Sequence, residues 1–285
     1  MTGLTASAPE RHVLVTGAAG GVGAAIAAAY AADGARLSLA DLDPAALAEV
    51  AASLRAGGGD VAELVVDLAD ARAAEALVGR AEAVAPVDVL VNAAGIYPAT
   101  PFLEMTAAIW DQVQHVNVRA AMLTTVAYGR ACAAAGRPGA VVNISSGAAA
   151  RARPGAAHYC TSKAALEMLT RAAAVELGEH GVRVNAVSPG YVRVGSAVNP
   201  VTPEYEAAVS VNPLGRIGEP ADIGRAVRWL TGPDAEWITG TVLRVDGGAS
   251  AGTTTLPLHW PGHTAVQDGA GAAASSSDTT PKGAA

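Results

Sequence analysis

The stretch HYCTSKAAL (158–166) sets a tyrosine, Tyr159, four residues ahead of a lysine, Lys163. On a helix these side chains share a face, about 6 Å apart along the axis. A free phenol has a pKa of about 10 and holds its proton at neutral pH. A neighbouring ammonium favours the phenolate, so Lys163 is expected to make Tyr159 a usable acid and base. That chemistry suits the interconversion of an alcohol and a ketone, where the hydroxyl proton needs a base. The hydride needs an acceptor that no side chain supplies, which implies a nicotinamide cofactor. Upstream, Ser145 and Ser146 close an apolar run, where a hydroxyl can steady charge developing on the substrate oxygen. Neighbours at a strand end point to opposite faces, and spacing alone does not choose between them.

A second constellation supplies the cofactor end. The run VTGAAGGVGAAIAAAY (15–30) fits the pattern TGxxxGxG through Thr16, Gly17, Gly21 and Gly23. Glycines between a strand and a helix let backbone amides approach a pyrophosphate, and the helix adds its positive N-terminus. Asp41 ends the next apolar run, eighteen residues after Gly23. An acid at that offset accepts hydrogen bonds from the adenosine ribose and repels a 2′-phosphate. Leu42 follows it, and no Arg or Lys lies in the glycine turn, so NAD is expected in preference to NADP.

The elements that must position these residues read as alternating strands and helices. Strands are expected at 12–17, 36–41, 62–68, 87–95, 139–146, 182–190 and 241–248. Helices are expected at 21–33, 43–56, 70–84, 105–135, 158–179 and 220–231. Near-continuous apolar strands between helices predict an α/β fold, a Rossmann-like doubly wound parallel sheet of about seven strands with helices on both faces. Hydrophobic residues make up 51% and aromatics only 4% of the 285 residues, which suits closely packed, alanine-rich helices. A formal charge of −7 argues against nucleic acid and anionic membrane surfaces as partners. Two cysteines make no disulfide framework, and the N-terminus lacks an apolar leader, so a cytoplasmic protein is expected.

Taken in order, these motifs resemble the short-chain dehydrogenase/reductase family over about residues 12–250, in its shorter single-domain branch. The matching residues are TGAAGGVG (16–23), Asp67 in VVDL, VNAAG (91–95), Asn117 in HVNV, Ser146, the Tyr159–Lys163 pair, SPG (188–190) and VDGG (245–248). The resemblance implies Asn117, Ser146, Tyr159 and Lys163 as the catalytic set. It selects Ser146 over Ser145 by its spacing, thirteen residues before the tyrosine. It gives Asn117 the task of holding a relay water beside the lysine. For the cofactor it implies Thr16, Gly17, Gly21, Val22, Gly23, Asp41, Leu42, Asp67, Leu68, Asn92, Ala93, Gly95, Pro189, Gly190 and Val192, with Tyr159 and Lys163. The family often has threonine where Val194 stands, which puts a hydroxyl contact to the cofactor in doubt and leaves backbone contacts from Val192. The resemblance also implies a homodimer or homotetramer.

One domain is expected over 12–252, after a short extension at 1–11 and before an extension at 253–285 that lacks apolar periodicity and reads as disordered from about 262. Residues 191–217, with Gly195, Pro200, Pro203, Pro213 and Gly215, read as a hinged substrate lid. Arg151, Arg153 and Arg193 read as solvated loop arginines, with an anionic substrate as the alternative. Cys160 reads as a small buried hydrophobe and Glu167 with Arg171 as a solvated pair. His259 and His263 have no further ligand nearby, so no metal site is expected. Two alternatives stand beside an NAD-dependent alcohol dehydrogenase. One is an NADPH-dependent 3-oxoacyl (carrier-protein) reductase. The other is a non-catalytic dinucleotide sensor, which would have no need of Ser146, Tyr159 and Lys163 together.

Overall fold

In the computed structural model, which describes residues 11–194, 201–253, 255 and 256, seven strands form one sheet. They are β1 (His12–Thr16), β2 (Arg36–Asp41), β3 (Val61–Val65), β4 (Val89–Asn92), β5 (Gly139–Ile144), β6 (Val182–Pro189) and β7 (Val242–Val245). Their order is β3-β2-β1-β4-β5-β6-β7, and every pairing is parallel. From β1 the chain first winds outward through β2 and β3, then returns to place β4 on the other side. Ligands in such sheets bind beyond the carboxyl ends of the two strands at that switch, here β1 and β4.

The helices are α1 (Gly21–Ala31), α2 (Pro44–Ala56), α3 (Ala71–Glu82), α4 (Ala107–Gln114), α5 (Ala120–Ala135), α6 (Ala157–Leu177), α7 (Pro203–Val209) and α8 (Pro220–Thr231). Side chains alternate across each strand and feed two separate cores. Val13 and Val15 of β1 join Ile26, Tyr30, Leu47 and Val227 under α1, α2 and α8. Leu14 joins Leu77, Tyr128 and Ala174 under α3, α5 and α6. Each such buried Leu, Ile or Val contributes about 1.5–3 kcal/mol. Small residues set the helix spacing: a methyl on Gly224 of α8 would stand 2.6 Å from the Ala25 carbonyl oxygen of α1. Nearby the Tyr30 and Thr231 hydroxyls lock the same two helices together at 2.6 Å.

Two elements differ from the sequence expectation. The helix expected over 105–135 is interrupted by a π-helical turn at His115–Arg119, where one extra residue bulges the backbone. Asn117 sits in that bulge. Within the expected lid, α7 is a true helix, with Pro203 in its first turn and the Thr202 hydroxyl accepting the Tyr205 N–H at 3.2 Å. Residues 1–253 form one unit and 254–285 a second, and all that follows concerns the first. Lid residues Gly195 and Pro200, the tail from 257 with its two histidines, and residues 1–10 lie outside the described residues. Among those described, no helix is long and apolar enough to cross a membrane.

Candidate active site

The glycine turn between β1 and α1 is built by close approach. Gly17 has φ +65°, and a Cβ there would stand 2.6 Å from the Ala94 Cα. A Cβ on Gly23 would stand 2.1 Å from the Gly17 carbonyl oxygen. Helices α2, α3 and α4 are capped by the side chains of Asp43, Asp70 and Thr106, whereas the N-cap of α1 is Gly20, and no acid follows in its first turn. Among the described residues, no carboxylate or hydroxyl caps the first turn and positive end of α1, the arrangement that receives a phosphate. Asp41 is oriented beside this turn. Its Oδ2 accepts the Ala19 N–H at 2.9 Å, and its Oδ1 accepts the Leu42 N–H at 2.7 Å. Asp67 lies on the surface beyond β3, with Oδ1 on the Ala69 N–H at 2.8 Å, while Leu68 is buried beneath it. These residues fit a dinucleotide, with α1 for the pyrophosphate and Asp41 for the ribose.

Two residues expected at the cofactor have their side chains engaged within the protein. Thr16 is buried, and its hydroxyl accepts the Ala93 and Ala94 N–H groups at 3.1 and 3.2 Å, tying the end of β1 to the loop after β4. The Asn92 side chain also points inward. Its Nδ2 donates to Asn143 at 2.9 Å and to Thr125 at 3.3 Å, and its Oδ1 accepts from Thr124 at 2.8 Å. A buried amide must satisfy its donors and acceptor locally, so both side chains position the loop. Ala93 and Gly95 form that loop. At the far wall, Gly190 packs on Asp246, where a Cβ would come within 2.7 Å, and follows Pro189 at the end of β6. Val192 bridges to Gly218 through the Tyr191 carbonyl and the Arg193 N–H, which turns its own amide groups the other way. Val194 lies over the glycine turn, its Cγ1 2.9 Å from where a Gly21 Cβ would be. Val22 packs against the core beneath.

The catalytic candidates converge at the ends of β5 and α6. Ser145 is spent: its hydroxyl donates to Glu167 Oε1 at 2.8 Å, while Glu167 Oε2 keeps its i,i+4 partner Arg171 at 4.0 Å. Ser146 faces the other way, caps the short turn Gly147–Ala149, and sits by the Tyr159 phenol, whose proton affinity it lowers. The Tyr159 ring lies 5.9 Å from the Tyr97 ring, 5.6 Å from the Arg153 guanidinium carbon and 5.8 Å from Lys163 Nζ. Lys163 is 4% exposed and donates to the Ile144 carbonyl at 2.7 Å. A Cβ on Gly95 would stand 3.4 Å from both Lys163 Nζ and Asn117 Oδ1, so the loop after β4 runs between them. Asn117 Oδ1 accepts the Ile96 N–H at 2.8 Å, and its Nδ2 donates to the Ile96 carbonyl at 2.9 Å and to Ser162 at 3.0 Å. Its side chain therefore pins this loop. The π-helical bulge that carries it has no signature in the sequence period.

The electrostatics revise one expectation. Burial pushes the Tyr159 phenol above its ordinary range, against the opposing Ser146 hydrogen bond and Arg153 charge. Lys163, spent on Ile144, does not reverse this in the protein alone. Burial also pulls Lys163 down to about 8 from 10.5. Below about pH 8 the ammonium is charged both folded and unfolded, and its burial cost is fully present. Between about 8 and 10.5 the folded state has released a proton that the unfolded chain still binds, so stability rises with pH. Wild type should gain about 1–3 kcal/mol relative to Lys163→Met across this window. Denaturant melts of both proteins at each end measure it, and parallel pH dependences would refute the assignment.

Comparison with known proteins bears on this geometry. A family model described as enoyl-(acyl carrier protein) reductase matches residues 17–250. Galactitol 2-dehydrogenase (L-tagatose-forming) of Cereibacter sphaeroides is 44% identical over 238 residues, 82% of this chain and 92% of that protein. The human (3R)-3-hydroxyacyl-CoA dehydrogenase is 35% identical over 82% of this chain and 94% of its own length. Among solved structures, a blue fluorescent protein from a metagenomic library, in complex with NADPH, superposes with a TM-score of 0.76 at 35% identity. That match covers 84% of this chain and 98% of the other.

Proposed function

The chain belongs to the short-chain dehydrogenase/reductase family, and from that premise we propose that it is an NAD-dependent oxidoreductase interconverting a secondary alcohol and a ketone. The observation that carries this reading is the meeting of Ser146, Tyr159 and Lys163 beside Gly95, on the loop after β4 that packs against the glycine turn. A bound nicotinamide supplies the hydride acceptor or donor. Ser146 holds the substrate oxygen by a hydrogen bond that strengthens as negative charge develops there. In the reductive direction Tyr159, kept protonated by burial, gives its proton to that oxygen. In the oxidative direction the phenolate takes the hydroxyl proton, favoured by the two cations within 6 Å of its ring, at 5.6 and 5.8 Å. Lys163 returns charge to the buried site, and Asn117 fixes the loop at Ile96 and holds a relay water beside the lysine.

Asp41 and Leu42 support NAD over NADP, since a carboxylate at the ribose repels a 2′-phosphate and no Arg or Lys follows it or lies in the glycine turn. A cytoplasmic homodimer or homotetramer completes the reading. Cys132 and Cys160 are free and buried, and the apolar side chains of Val126 on α5 and of Met168 and Val175 on α6 are exposed for a second copy to cover. A second reading, NADPH-dependent reduction of 3-oxoacyl groups, is favoured by the acyl-carrier description of the matching family and the acyl-CoA relative. A screen of polyols, simple secondary alcohols and 3-hydroxyacyl esters with NAD and NADP separates the two. We expect cofactor reduction by an alcohol or polyol with NAD preferred; turnover confined to acyl esters with NADP would overturn the proposal.

A further inference from the structure

We infer that Arg153 is a specificity-determining residue and that the physiological substrate carries a carboxylate a few carbons from its reacting hydroxyl; this rests on the alcohol–ketone reading above. Three loop arginines, Arg151, Arg153 and Arg193, could meet an anionic substrate, and the structure separates them. Arg193 is paired with Glu206 of α7, and Arg151 reaches the Ala249 carbonyl at 3.4 Å. Arg153 alone of the three stands at the reacting group, its guanidinium carbon 5.6 Å from the centre of the Tyr159 ring. One of its N–H groups donates to the Tyr205 hydroxyl of α7, which ties the arginine to the expected lid. A guanidinium has five donors in a planar fork, so this one tether among the described residues leaves two parallel donors for a bidentate carboxylate.

The surroundings favour an anion over a neutral hydroxyl. Arg153 is exposed, and water screens its charge while the site is open. A substrate seated between Tyr159 and α7 removes that water, and a neutral polyol would leave a desolvated cation without a counter-charge. The cleft beside this loop, about 530 Å3, is walled by Ala99, Thr100, Pro101, Phe102, Pro154 and Gly155. None of these carries a charge, and Arg153 directly precedes Pro154 on this wall.

The test compares hydroxy acids, with the hydroxyl placed two to five carbons from the carboxylate, against their neutral amides, alongside neutral polyols. The reading is the acid-to-amide ratio of kcat/KM for the wild type, Arg153→Gln and Arg153→Lys. The wild type should favour at least one acid over its amide by about thirty-fold, the scale of a hydrogen-bonded charge pair. Arg153→Gln should cut that ratio at least ten-fold, mainly through KM, and Arg153→Lys should restore part of it. A wild-type ratio at or below one for every pair overturns the inference, as does a high ratio that survives Arg153→Gln. Turnover of neutral polyols with no acid preference sinks this inference alone. No turnover of any alcohol with either cofactor sinks the alcohol–ketone reading itself. Melting curves confirm that the exposed substitutions leave the fold intact.

Discussion

Tyr159→Phe lowers kcat in both directions by about 10²–10⁴-fold, the usual share of a positioned general acid or base. The substitution removes one oxygen from a ring whose packing against Tyr97 is otherwise kept. The glycine turn, Asp41 and the α1 N-terminus lie elsewhere in the fold, so the dissociation constant for NAD should change less than about three-fold. The loss should also remove a pH dependence. Because burial raises the Tyr159 phenol, wild-type oxidation should climb with pH as the phenolate becomes available, while reduction holds steady through neutrality. Stopped-flow turnover with separate fluorescence titration of the cofactor distinguishes lost chemistry from lost binding. A variant retaining more than a tenth of wild-type turnover would remove Tyr159 from the mechanism.

Asp41→Asn shifts the NAD-to-NADP ratio of kcat/KM by about 10²-fold toward NADP, from one charge-assisted hydrogen bond lost and one repulsion relieved. The choice of asparagine is deliberate. Its one side-chain oxygen can still accept the Ala19 N–H and keep the tether to the glycine turn, while the Leu42 and Asp43 N–H groups lose their acceptor and the charge disappears. Direct binding of both cofactors is the measurement. An unchanged ratio, or a wild type that already prefers NADP, contradicts the role given to Asp41.

The sheet was legible because each strand carries a near-continuous apolar run and each crossover an alanine-rich helix, and those patterns answer to burial alone. Gly17, Gly23 and Asp41 were legible for a related reason: a turn pressed against Ala94 tolerates no side chain at Gly17. Thr16 and Asn92 stand at strand ends, where the motif names the residue but the neighbouring strand decides where its side chain points. Ser145 and Ser146 differ only in which partner each meets, Glu167 or Tyr159, and no local period encodes that. The capped start of α7 was readable in Thr202–Pro203–Glu204, a hydroxyl followed by proline and an acid. The bulge at Asn117 and the place of Arg153 over Tyr159 were not, since both depend on packing between distant segments.

The central claim is that a hydride passes between the substrate carbinol carbon and a nicotinamide while Tyr159 handles the proton. Its most direct test is a single turnover of an alcohol deuterated at the carbinol carbon, using the best substrate from the screen, followed by mass spectrometry of the cofactor. The account predicts that the deuterium is recovered on the reduced cofactor, none exchanges with water, and Tyr159→Phe yields almost none in the same time. Deuterium released to solvent, or transferred equally well by Tyr159→Phe, would contradict it.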